Sequence, residues 1–466
     1  MEVPRRARLP EAVRIREIWV RNFKSLRDVR VELRGFNLLI GPNRSGKTNF
    51  LEALKLLRAI YFPKSGEEVN PFLPWWGYDR VVWRRDEKLP ITIGLGLDVM
   101  GYRVDFETTF TGVGGTFSML KEVIDIKDIV RLERRGRKLR ITHSRDFLDM
   151  IWGEVEAKWE EVMDLLRFRS LHRTSPELYE ALKMGKETLS NYVINVWDDF
   201  RLLRHLRRPL IVEHGSVSMF SLKNMIALVI SPRITIRGWP QYWPYRGRMP
   251  LVEAAIRLTG EIIRRSLILR PVETRRIRET ISKPTKEDEL SEDALNLHNV
   301  LFNLWIRNGG RLPDRIEAAL KDIFGPDVRV AFELTTDSRL FMRVFEGDLP
   351  LDPPMISDGF YKVLAILTAV ETGPSILAID ELENSLHLEA IERVLDDLRN
   401  AGCVVVATTH SPLVIDQVDP ADIIFVDRDE EGATIMWRVK DPEALKRKLA
   451  EKGITLSEGW LYGRIR

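Results

Sequence analysis

Residues Gly41-Pro42-Asn43-Arg44-Ser45-Gly46-Lys47-Thr48 spell a complete G-x-x-x-x-G-K-[ST] loop. Few short patterns restrict a fold so tightly, because this chemistry needs a strand before the loop and a helix after it. Both are legible: Phe36-Asn37-Leu38-Leu39-Ile40 is an apolar run of strand length, and 49–57 carries apolar residues at helical spacing. Gly41 and Gly46 let the backbone turn its N–H groups onto an anion at the helix N-terminus. Lys47 supplies a mobile positive charge for the outer phosphates of a nucleotide, and the Thr48 hydroxyl can ligate Mg²⁺. A chance match arises in only about one or two chains in a hundred of this length. The loop predicts nucleotide binding.

At 466 residues the chain is long enough for about three domains, each with its own core. A formal net charge of +3 does not by itself call for nucleic acid. Cys403 is the only cysteine, which excludes a disulfide framework and a cysteine-based metal hook; beside Val404-Val405-Val406 it reads as a small buried hydrophobe. No apolar run approaches the ~20 residues of a membrane span. The N-terminus, with Arg5, Arg6 and Arg8 among prolines, lacks the apolar stretch of a secretory signal. The expected location is the cytoplasm, with no membrane partner. Gln241 and Gln417 are the only glutamines while charged residues make up 30%, a composition of thermophile type.

Alternating patterns predict strands at 15–20 and 29–33, a hairpin of 91–99 with 102–110, and another of 130–134 with 138–142. The pattern is helical over 146–208 and irregular over 209–250, with helices expected at 251–269 and 291–307 around a polar loop at 282–289. Strands at 328–334 and 340–346 then lead to a helix at 359–371, strand 375–380, helix 388–399, and strands 403–408 and 422–427. Strands alternating with helices imply a parallel sheet with crossovers. The domains expected are an N-terminal lobe over 1–145, a mainly helical insertion over 146–290 and a C-terminal lobe over 291–466.

Three further pieces of the C-terminal region bear on chemistry. The apolar run 375–379 ends in Asp380-Glu381. A carboxylate at the carboxyl end of a strand can hold Mg²⁺ through water, and the next one out can orient or deprotonate an attacking water. The run 404–409 likewise ends at His410; side by side, two such strands would place Asp, Glu and His against one phosphate. Ser357-Asp358-Gly359 opens a helix, offering a hydroxyl and unhindered N–H groups to an anion.

Gly41–Asn49, Ser357-Asp358-Gly359, Asp380-Glu381 and His410 resemble the Walker A, signature, Walker B and switch-histidine motifs of ABC/SMC-like ATPase heads. More narrowly, the chain resembles the prokaryotic AAA-type ATPases related to RecF and to the ATPase half of OLD nucleases. Val20-Arg21-Asn22-Phe23-Lys24-Ser25 is similar to that group's opening segment, which lies near the nucleotide base; 290–297 is similar to its lever-helix motif and 456–463 to its C-terminal tail. The resemblance implies an α/β fold: a P-loop NTPase head of ABC/SMC type with an antiparallel β-subdomain, split by a helical insertion. It implies ATP contacts at Gly41, Pro42, Asn43, Arg44, Ser45, Gly46, Lys47, Thr48, Asn49 and Lys24, with Ser357 and Gly359 supplied by a facing copy. It implies catalytic roles for Lys47, Glu381 and His410, and Mg²⁺ at Thr48 and Asp380.

There are departures. No glutamine stands where such heads carry their Gln loop, His387 occupies a position where transporters have Asp, and Arg44 fills a loop position often held by Gly. The implied activity is Mg²⁺-dependent ATP hydrolysis driving a homodimer or higher oligomer, in DNA repair, maintenance or defence, with DNA or an effector nuclease or toxin chain as partner. The alternative is a nucleotide-sensing scaffold with little turnover. The absence of an Asn-Lys-x-Asp motif speaks against a GTPase, and no Toprim nuclease domain is expected after His410. Arg131, Arg134, Arg135, Arg137, Lys138 and Arg140 read equally as a nucleic-acid contact or as arginines on a solvated ribbon, while Arg201, Arg204, Arg207 and Arg208 could track phosphates; Trp239–Arg246 reads first as aromatic packing against the insertion helices and second as a base-stacking segment.

Overall fold

The computed structural model describes residues 13–63, 70–136, 138–143, 233–235, 248–279 and 283–463. The helical pattern over 146–208, the arginines at 201–208 and the aromatic segment 239–246 lie outside the described residues. Along the chain, β1 (Val13–Phe23), β2 (Leu26–Glu32) and β3 (Phe36–Ile40) precede helix α1 (Lys47–Tyr61). Then come β4 (Ile91–Val99), β5 (Tyr102–Thr111), β6 (Ser118–Ile126), β7 (Val130–Arg135), β8 (Lys138–His143), β9 (Arg233–Thr235) and β10 (Arg248–Pro250). Helix α2 (Leu251–Arg264), β11 (Leu267–Leu269), α3 (Thr274–Glu279), α4 (Leu297–Arg307) and α5 (Asp314–Phe324) follow. The remainder runs through β12 (Val328–Leu334), β13 (Leu340–Glu346), β14 (Leu349–Leu351), α6 (Asp358–Glu371), β15 (Ile376–Ile379), α7 (Leu388–Arg399) and β16 (Val404–Thr409). It ends with α8 (Pro412–Asp416), β17 (Ile423–Arg428), β18 (Thr434–Trp437), α9 (Pro442–Glu451) and α10 (Leu456–Leu461).

The chain forms two compact units, with boundaries at Lys24/Ser25, Leu56/Leu57 and Arg264/Arg265. One unit holds the phosphate loop. Its sheet has the order β11-β15-β16-β3-β17-β18, parallel except for the antiparallel edge strand β18. Both faces are covered, so every residue of β3 and β15 is buried; β15 is an unbroken apolar run, and the one polar residue of β3, Asn37, donates to the Val405 carbonyl. Leu38, Ile40, Leu377, Ile379, Val405 and Ala407 join Leu364 and Leu367 of α6 and Ile391 and Val394 of α7 in one buried core. A small antiparallel sheet, β12-β13-β14, belongs to the same unit. The other unit is built on an antiparallel ladder, β1-β4-β5-β6-β7-β8. Beneath it, the Tyr61 hydroxyl donates to the fully buried Glu122 carboxylate at 2.9 Å.

Two helix expectations are corrected. The helix read over 251–269 stops at Arg264, and Leu267-Ile268-Leu269 is instead strand β11, paired in parallel with β15. All three residues are buried, and a short all-apolar run has no period that tells strand from helix. The helix read over 291–307 begins only at Leu297. Ahead of it, the Asp293 carboxylate accepts from Ser291 Oγ and the Leu295 N–H, Asn296 Oδ1 accepts from the Ser291 N–H, and Ala294 sits at φ +56°. These side chains take over backbone N–H groups that a helix would have used. Cys403 is half-buried against the core rather than fully enclosed.

Candidate functional site

The phosphate loop is shaped by its neighbours as much as by its own glycines. Thr434 Oγ1 donates to the Ser45 carbonyl at 2.7 Å and shares a 2.7 Å hydrogen bond with Ser25 Oγ, which also accepts from Asn49 Nδ2 at 2.7 Å. A Cβ on Gly46, at φ +115°, would collide with Thr434 and Ser25, and one on Gly41 would strike the Val426 carbonyl. Both glycines are therefore fixed by close approach in addition to turn geometry. Pro42, Asn43, Arg44 and Thr48 are exposed, and Arg44 holds a left-handed φ of +67°. Ser45 Oγ is buried with no hydrogen-bond partner among the described residues, as suits a hydroxyl aimed at a phosphate oxygen.

Lys47 Nζ donates to the carbonyls of Gly41 and Pro42 at 2.7 and 3.1 Å. Burial lowers its ammonium pKa to about 8, against the opposing pull of Asp380, Glu383 and Glu381. Thr48 Oγ1 lies 3.3 and 3.2 Å from the two Asp380 carboxylate oxygens. An all-oxygen pair of this kind fits a hard cation such as Mg²⁺.

Sheet order explains how residues far apart in sequence meet. In the series β15-β16-β3, Ile379 lies opposite Ala407, and Thr409 opposite Ile40. All three strands therefore deliver their next residues, Asp380, His410 and Gly41, to one edge of the sheet. Ligand sites of open parallel sheets lie at this carboxyl edge. Asp380 and Glu381 are held by Thr408, whose Oγ1 donates to Asp380 Oδ1 at 2.6 Å and accepts from the Glu381 N–H at 2.9 Å. Glu381 is exposed and left-handed, at φ +51°. Glu383, which the sequence reading did not single out, accepts from Thr409 Oγ1 at 2.7 Å and from the His410 N–H at 2.8 Å. The only advance signal was its place two residues beyond Glu381. The His410 imidazole pKa is lowered, first by burial and then by the Lys47 charge, against the carboxylates of Glu383, Glu381 and Asp380.

Ser357 caps α6, its Oγ accepting from the Phe360 N–H at 3.2 Å. Asp358 Oδ1 accepts from Thr274 Oγ1 at 2.6 Å and from Arg278 Nη2 at 2.5 Å, so helix α3 braces this turn. A Cβ on Gly359 would come within 2.8 Å of the Ser385 carbonyl, which packs the start of α6 against the turn after Glu381. Lys362, also unforeseen, is buried on α6, and its Nζ lies 3.4 Å from the Glu381 carbonyl.

Lys24 belongs to the other unit. There its ammonium lies 5.8 and 5.9 Å from the ring centroids of Phe23 and Trp75, within cation–π range. Of the arginine hairpin, Arg131 pairs with Asp125 and Glu133, Arg135 with Glu133, and Arg134 with Glu122. These guanidinium groups are engaged by carboxylates of their own sheet, the arrangement of an ion-paired ribbon. The side chains of Arg137, Lys138 and Arg140 lie outside the described residues.

Comparison with known proteins gives matches at both ends of the chain. Residues 14–142 match a protein-family model described as "AAA ATPase domain", and residues 262–416 match one described as "AAA domain, putative AbiEii toxin, Type IV TA system". The chain is 25% identical over 191 residues to the DNA replication and repair protein RecF of Halothermothrix orenii, covering 40% of this chain and 48% of that protein. It is 22% identical over 195 residues to RecF of a Thermoanaerobacter species, covering 40% and 50%. The chain thus spans about half the length of the curated relatives it matches. Among solved structures, the Smc head domain with an extended coiled coil, bound to the C-terminal domain of ScpA and derived from Pyrococcus furiosus, aligns at 11% identity. That alignment has a TM-score of 0.44 over 94% of this chain and 99% of that one. The SMC head domain from Thermotoga maritima aligns at 11% identity and TM-score 0.39, over 92% and 100%.

Proposed function

We propose that this chain, which belongs to the ABC/SMC-like AAA-type ATPases, hydrolyses ATP with Mg²⁺ and uses the bound nucleotide to pair with a second copy of itself. One observation carries the reading: Gly41, Asp380 and His410 leave the same edge of three neighbouring parallel strands. In this reading the loop N–H groups and Ser45 Oγ cradle the phosphates while Lys47 adds a point charge. Mg²⁺ between Thr48 and Asp380 would neutralise charge on the outer phosphates. Glu381 orients the attacking water and takes its proton, and neutral His410 hydrogen-bonds the terminal phosphate. Asn43, Arg44 and Asn49 complete the loop's contacts with the nucleotide. Ser357 and Gly359 present a capped helix start to the nucleotide of a facing copy.

The relatives' description as DNA replication and repair proteins supports a role in DNA maintenance. A second reading, a nucleotide-controlled component of a defence system that holds a toxin or nuclease in check, is favoured by the description of the family model matching 262–416. Phosphate release from MgATP by the purified chain, with and without DNA, tests the first. Turnover that Lys47→Ala abolishes supports it; a wild-type rate at background moves the scaffold reading ahead.

A further inference from the structure

Lys362 has no part in the site as read so far, yet its position is costly. It lies on α6, five residues after the Ser357 cap, and is 1% exposed. An ammonium withdrawn from water must be compensated by charge and hydrogen bonds, or it destabilises the fold. Here the compensation is partial: burial brings its pKa down to about 8 against the pull of Glu383, Asp380 and Glu381, and its Nζ donates to the Glu381 carbonyl. That carbonyl also accepts from the Asn384 N–H at 3.2 Å.

The turn that Lys362 touches is conformationally demanding. Glu381 and Ser385 sit at φ +51° and +63°, a region that residues with a Cβ seldom occupy unless their surroundings impose it. Three contacts impose it. Thr408 Oγ1 takes the Glu381 N–H, Lys362 takes the Glu381 carbonyl, and the Gly359 backbone abuts the Ser385 carbonyl. Two of the three come from the first turns of α6, the helix that Ser357 caps.

We propose that Lys362 is a positioning residue, which pins the Glu381 carbonyl so that the Glu381 side chain is held in its working orientation. Because it rides on the helix capped by Ser357, it also ties the Glu381 turn to the seating of that helix. The inference rests on the ATPase reading above.

The test compares wild type, Lys362→Met, Lys362→Arg and Glu381→Gln as full-length chains. It measures MgATP turnover, affinity for a fluorescent ATP analogue and thermal melting. Lys362→Met should bind the analogue within about threefold of wild type and lose about tenfold or more in kcat, the scale expected when a reacting group is slightly misplaced. Lys362→Arg, which keeps the cation and donors, should recover most of that rate. A smaller kcat loss, or one matched by an equal loss of analogue affinity, overturns the proposal. If Lys362→Met does not melt cooperatively, Lys362→Gln replaces it under the same criteria. Failure of the underlying reading looks different: wild type would then show no turnover that Glu381→Gln removes, and the proposal falls with it.

Discussion

The Thr408 hydroxyl donates to Asp380 at 2.6 Å while accepting from the Glu381 N–H at 2.9 Å, so one side chain of β16 sets both carboxylates at the end of β15. Thr408→Val keeps the shape and removes both bonds. Groups that orient a metal-binding carboxylate commonly contribute 10–100-fold in metal affinity, so the Mg²⁺ concentration needed for half-maximal turnover should rise by about that factor. A magnesium titration of ATPase activity checks this.

Glu383 holds the backbone around His410, accepting from Thr409 Oγ1 and the His410 N–H. Glu383→Ala should therefore lower turnover in the manner of His410→Ala while leaving analogue binding nearly intact. The double variant should be only slightly slower than either single one, since groups in one network do not add. Full additivity in a double-mutant cycle would separate the two residues.

The two shifted bases give opposite limbs to the pH dependence. Lys47, with its pKa brought down to about 8 by burial, loses its charge as pH rises through that value, so kcat/KM for ATP should fall above about pH 8. His410 is shifted down, so between its folded pKa and the ordinary histidine range the unfolded chain binds more protons than the folded one. Its contribution to stability is thus lost as pH falls through that window, and His410→Gln should remove that part of the acid sensitivity in thermal melts.

The parts of this site legible in sequence are those whose chemistry is local. The phosphate loop, Asp380-Glu381 and the strand ending at His410 could be read because a few residue types at fixed spacing define them. The parallel neighbours β15 and β16 followed from alternating strands and helices. Glu383, Thr408 and Lys362 could not be read, because their importance arises from packing. A lysine within a helix is ordinarily solvated, and nothing nearby in sequence shows that α6 turns Lys362 toward Glu381. The strand at 267–269 failed for a related reason: only its pairing with β15 decides its type.

If Ser357 works across a pair of chains, Ser357→Arg should keep ATP affinity and lose nucleotide-induced pairing and turnover. Mixed with Lys47→Ala, it should regain some ATPase, because one composite site per heterodimer is intact. A mixture whose chains fold and associate yet stay inactive would count against the facing-copy arrangement.

In the proposed mechanism ATP is hydrolysed at the edge where Asp380, Glu381 and His410 meet the phosphate loop. The most direct measurement is phosphate release by Glu381→Gln beside wild type at saturating MgATP. Removing a general base typically costs about 10²–10⁴ in rate, so the variant should bind ATP normally and turn it over at least a hundredfold more slowly. Equal turnover by the two chains would rule out Glu381 as the general base and this edge as the site of hydrolysis.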